Sequence, residues 1–151
     1  MASGKTTVGV RVAEIAGADF VDLDREIELS RGRSVTELFA EGGEPWFRRA
    51  ERDVFGAALA PGRVVALGGG APQQDPIWAR VRAEAVSVFL DVPLDVIRRR
   101  LGGGAGRPLA GGDLEALLER RLPRYREADH TVDAARPVDD VAREVAALWS
   151  E

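Results

Sequence analysis

Five consecutive residues near the start of the chain, Ser3-Gly4-Lys5-Thr6-Thr7, combine a glycine, a lysine and hydroxyls directly ahead of a helical pattern. They match the second half of the phosphate-binding pattern G-x-x-x-x-G-K-[ST]. The loop and the helix start would aim backbone N–H groups at a phosphate, and the helix dipole favours the anion. Lys5 would reach the β- and γ-phosphates, and the Thr6 hydroxyl would hold Mg²⁺. Lys5 is the only lysine; the other 20 of the 21 basic residues are arginine. Lysine is a compact point charge where arginine is a broad planar fork, so a tight loop would favour the one lysine here. A glycine ahead of an ordinary helix would read the same way locally.

Further along, Asp22 and Asp24 stand two residues apart where a short strand over 18–24 ends, and α/β proteins place ligands at such carboxyl ends. Their alternative is an acidic turn that caps a helix from Arg25. Gly68-Gly69-Gly70 follows an apolar run and permits close backbone approach to a ligand, or else forms a tight turn. Arg48 has Glu51 one turn on, which in isolation would be a solvated ion pair of little worth. Arg107 interrupts a stretch, 102–112, that holds six glycines, and Arg121 ends a helix before Leu122-Pro123-Arg124-Tyr125. Each arginine taken singly reads as a surface residue more readily than as a ligand.

The elements that must position these residues alternate. Helical patterns cover 5–16, 34–40, 45–60, the region of 78–81, 93–101, 114–122 and 138–149. Short apolar runs at 18–24, 64–67, 86–90 and near 131–132 read as strands. Ser34-Val35-Thr36-Glu37 forms a capping box, and Pro45 suits a helix's first turn. Strand alternating with helix predicts an α/β fold with a parallel sheet in one domain, 1–151. With 45% hydrophobic residues there is ample core. A net charge of −4 gives no reason to expect nucleic acid or an anionic membrane surface as partner. No cysteine and one histidine, His130, exclude a disulfide framework or a multi-histidine metal site. No apolar run approaches the roughly 20 residues of a membrane span, and no signal peptide is visible, so a cytoplasmic protein is expected.

In order, the chain reads Gly4-Lys5-Thr6-Thr7, Asp22-Leu23-Asp24, Phe47-Arg48-Arg49-Ala50-Glu51, Gly68-Gly69-Gly70, Arg107-Pro108-Leu109 and Arg121-Leu122-Pro123-Arg124-Tyr125-Arg126-Glu127-Ala128. This series resembles the shikimate kinase family across essentially the whole chain. The phosphate-binding loop is common to many families, whereas six motifs in order are specific.

The resemblance implies a P-loop NTPase-like five-stranded parallel sheet flanked by helices, with a mobile lid at about 102–112. It implies transfer of the ATP γ-phosphate to the 3-hydroxyl of shikimate, with Mg²⁺ as cofactor, by a monomer. Carried over by position, Asp24, Arg48, Gly69, Gly70 and Arg121 would bind shikimate, with Asp24 the candidate base. Ser3, Gly4, Lys5, Thr6 and Thr7 would hold the nucleotide, and Lys5 and Arg107 its phosphates. Arg100 and Pro137 would flank the adenine, while Thr6 and Asp22 would serve the metal. The family's first strand and first loop glycine have no counterpart in these residues, and on that pattern the short chain is expected to be poorly stable or poorly active. A related kinase, such as a gluconate kinase, and a nucleotide-binding regulatory protein without turnover are the alternatives.

Overall fold

The computed structural model describes residues 3–102 and 114–150. Helix α1 (Lys5–Ala16) buries Val8 and Val12 on one face and ends at Gly17, whose left-handed backbone (φ 64°) closes the last turn. Strand β1 (Asp19–Asp22) leads directly into α2 (Leu23–Arg31), which starts because Asp22 accepts from the N–H groups of Asp24 and Arg25. Leu23 and Ile27, one turn apart, are fully buried.

Helix α3 (Val35–Ala58) opens on the expected capping box, Ser34 with Glu37. It is two helical segments joined at Gly43, where φ 70° and ψ 179° form a conformation open essentially to glycine alone. Pro45 follows in the first turn of the second segment, where its missing N–H costs no helical bond. The break lets Phe39 and Phe47 stack from opposite sides of it, with ring centroids 4.4 Å apart.

Strand β2 (Arg63–Ala66) runs into the glycine turn and a 3-10 turn (Ala71–Gln73), followed by α4 (Asp75–Glu84). Then come β3 (Val88–Asp91), α5 (Leu94–Gly102), α6 (Leu114–Tyr125), β4 (His130–Asp133) and α7 (Val138–Ala147), with a 3-10 turn at Leu148–Ser150. Some boundaries differ from expectation. Asp24 lies in the first turn of α2 rather than on a strand. Strand β3 begins two residues later than the apolar run, leaving Val86 exposed. Helix α6 continues through Pro123 to Tyr125 instead of stopping at Leu122.

The strands are parallel, as their alternation with helices requires. β1 pairs with β2, matching Asp22 to Ala66, and β3 pairs with β4, matching Asp91 to Asp133. The expected single sheet is not formed among the described residues: the two pairs stand apart. Between them lies an apolar cavity of about 810 Å³, walled by Val64–Leu67 on one side and Val88–Val92 on the other. The core forms two clusters, and Val64 of β2 packs with the second. α2, α3 and α4 close around Leu38, Phe55 and Trp78, and α1, α5 and α7 around Val12, Ile97 and Val141. The stretch 102–112, expected as a lid, falls outside the described residues apart from Gly102, and so does Arg107.

Candidate phosphate and anion site

Both strands of the first pair point their carboxyl ends toward the start of α1, and the polar residues converge there. Gly4 adopts a left-handed backbone (φ 83°) that turns the chain into α1, and no side chain caps that helix. The first-turn N–H groups therefore lack an internal partner. Lys5 Nζ stands 3.9 Å from Asp24 Oδ2. Thr6 Oγ1 donates to Asp22 Oδ2 at 2.6 Å, while Asp22 Oδ1 accepts from the Asp24 N–H at 3.1 Å. One oxygen of Asp22 caps α2, as the alternative reading has it, and the other faces the hydroxyl of the loop.

The glycine turn explains its own composition. A Cβ at Gly68 would lie 2.6 Å from Asp24 Oδ1 and 3.1 Å from Glu51 Oε1, and a Cβ at Gly70 would overlap the Arg48 guanidinium. Three side chains from two helices can approach this turn only because it carries none. Arg48 Nη1 donates to Glu51 Oε2 at 2.7 Å, and Arg48 Nη2 to Glu44 at 3.2 Å. The guanidinium also sits 5.4 Å from the Phe47 ring centre.

The pair with Glu51 is not the solvated one that sequence suggests. Arg48 keeps 16% of its side chain exposed and Glu51 none. Burial pushes the Glu51 carboxyl above the ordinary glutamate range, and the Asp24 charge adds to that, against the pull of Arg48. Gln74 Nε2 donates to Glu51 Oε2 at 2.6 Å, whereas Glu51 Oε1 is buried without a hydrogen-bond partner among the described residues. Glu51 and Gln74 were missed as site residues. The spacing of Arg48 and Glu51 was visible, but the burial that gives the pair its strength arises from packing across α3, α4 and the turn.

A second cavity, about 430 Å³, opens beside Arg48 and Gly70 and is bounded on its far side by Arg120 and Arg121 of α6. Arg120 is a further cation on this wall that the motifs did not single out. Of the residues expected near adenine, Arg100 is close to the loop, with Nη1 3.9 Å from a Cβ placed on Gly4, and its Nη2 donates to the Ala134 carbonyl at 3.3 Å. Pro137 caps α7 close by in sequence. Among the described residues no cluster of three or more acidic or imidazole ligands exists. None of the helices described is long and apolar enough to cross a membrane.

A parallel α/β fold with a lysine-bearing glycine loop at a helix start, facing acids at strand ends, defines a P-loop kinase. The family model for shikimate kinase matches residues 1–149. The chain is 42% identical to shikimate kinase from Salinibacter ruber over 93% of this chain and 76% of that one. It is also similar to the solved structure of shikimate kinase from Acinetobacter baumannii in complex with shikimate, at 33% identity and a TM-score of 0.91, covering 99% of this chain and 88% of that one. The chain belongs to the shikimate kinase family. A gluconokinase from Sinorhizobium meliloti, at 22% identity and a TM-score of 0.59, shares the fold alone.

Proposed function

We propose that this chain transfers the ATP γ-phosphate to the 3-hydroxyl of shikimate, giving shikimate 3-phosphate and ADP. The observation that carries the reading is the cavity flanked by Arg48 and Arg121, with Asp24, paired to Lys5, on the same glycine turn as Arg48. Shikimate has one carboxylate and three hydroxyls, so it needs a cationic clamp and an acid beside one hydroxyl. Arg48 and Arg121 bind the carboxylate through charge-assisted hydrogen bonds. Gly69 and Gly70 let the ring lie against backbone. Asp24 accepts the proton of the reacting hydroxyl, and Lys5 with the N–H groups of Gly4 to Thr7 neutralises the phosphates.

The pair Thr6 and Asp22 fits Mg²⁺. It offers two hard oxygens 2.6 Å apart, and this ion takes one or two protein oxygens together with phosphates and waters. When bound, Mg²⁺ supplies charge neutralisation at the β- and γ-oxygens. Arg100 and Pro137 border the base of the nucleotide.

A coupled assay of ADP release, run with and without shikimate, tests the reading. Release that depends on shikimate is expected. Release driven equally by gluconate, or nucleotide binding without turnover, would overturn it.

A further inference from the structure

The two arms of the carboxylate clamp come from distant parts of the chain, Arg48 from α3 and Arg121 from α6, and one phenol links them. Tyr125 lies four residues after Arg121, one turn along the same helix. Its hydroxyl donates to the Gly69 carbonyl at 2.6 Å. Its ring packs on Phe89, with centroids 5.3 Å apart. Burial pushes the Tyr125 phenol above the ordinary tyrosine range, against the pull of the nearby Arg121 and Arg48 guanidinium groups. A second tie runs the other way, from Gln73 Nε2 to the Arg121 carbonyl at 3.4 Å.

The turn that Tyr125 holds has no slack on its other side. Gly70 lies so close to the Arg48 guanidinium that even a Cβ would overlap it. A shift of the Gly69 peptide is therefore passed to Arg48 on one side, and on the other the phenol ties the turn to the helix that carries Arg121. A phenol has one hydrogen to donate, and here the Gly69 carbonyl takes it.

We propose that Tyr125 is a positioning residue that sets the distance between Arg48 and Arg121, and so the grip on the substrate carboxylate. The proposal rests on the function proposed above. Tyr125 does not act on the nucleotide or on the reacting hydroxyl.

Tyr125→Phe keeps the ring contact with Phe89 and removes only the hydroxyl. In the ADP-release assay, KM for shikimate is expected to rise about 3- to 10-fold, the worth of one hydrogen bond. KM for ATP and kcat should stay within about twofold. Phe89→Leu disturbs the ring packing and keeps the hydroxyl, so it is expected to lower the melting temperature without raising KM for shikimate. An unchanged KM for shikimate in Tyr125→Phe would overturn the proposal. So would a fall in kcat with a rise in both KM values and a lowered melting temperature, which marks a general structural role. If the unsubstituted chain neither used nor bound shikimate, the reading of the site itself would fail, and this proposal with it.

Discussion

At the scale of single residues, the site is organised by what cannot be added to it. The absence of a Cβ at Gly68 and Gly70 brings Asp24, Glu51 and Arg48 onto one short turn. Gly70→Ala should displace the Arg48 guanidinium and behave like Arg48→Ala. For Arg48→Ala and for Arg121→Ala, KM for shikimate is expected to rise roughly 10- to 150-fold with KM for ATP nearly unchanged. Equal weakening of both substrates would remove these arginines from the carboxylate site. Glu51 makes a second prediction. Its raised pKa means the folded chain keeps a proton that the unfolded chain has already released. That contribution to stability is complete below about pH 4.5 and is lost as pH rises through the higher folded value. A melting curve taken at successive pH values should decline over this window in the unsubstituted chain, and Glu51→Gln should flatten the decline. Much of this was legible from residue types: Lys5, Asp22, Asp24, Arg48 and the glycines all gather at one end of the first strand pair. Glu51 was not, because burial is a property of the packed turn and not of the spacing to Arg48.

At the scale of elements, helix boundaries divide into those written locally and those imposed from outside. Ser34 and Glu37 set the start of α3 within four residues, and the structure has both bonds of the box. Ser34→Ala should cost about 1 kcal/mol, seen as a fall of roughly 2–4 °C in melting temperature. The end of α6 is the opposite case. Pro123 removes a helical N–H and argues for a stop at Leu122. The last turn persists because tertiary bonds hold it: Tyr125 to Gly69, Arg124 to Asp75 at 2.6 Å, and Trp78 Nε1 to Glu127 at 2.8 Å. No local pattern announces such ties. Gly43 sits between the two cases. Pro45 and the separate helical patterns over 34–40 and 45–60 placed a break here, yet only the backbone angles show that the break at Gly43 stacks Phe39 on Phe47 behind Arg48. Gly43→Ala should destabilise the chain by about 1–3 kcal/mol and weaken shikimate more than ATP, which denaturation and steady-state kinetics together would reveal.

At the scale of the whole molecule, the two strand pairs stand on either side of an apolar space. A cavity of about 810 Å³ forfeits contacts on both walls, and the edges of β2 and β3 that face it are not paired with each other. A version of the chain extended upstream of Ser3 by a short apolar strand is expected to melt higher if the strand enters this space. About four buried apolar side chains at 1.5–3 kcal/mol each would contribute roughly 6–12 kcal/mol. An extended version that melts no higher would show that the space does not take a strand. Strand and helix alternation was readable from the apolar runs, but the separation of the pairs is a matter of sheet assembly that no single run records.

The distribution of basic residues across the molecule has a chemical consequence of its own. With 20 arginines and Lys5 as the sole lysine, the chain presents one side-chain primary amine, and that amine stands at the phosphate loop with about a quarter of its side chain open to solvent. An acylating reagent selective for side-chain amines thus has a single target. Its product would report directly, in the mass of one peptide, whether the loop was empty or filled when the reagent arrived.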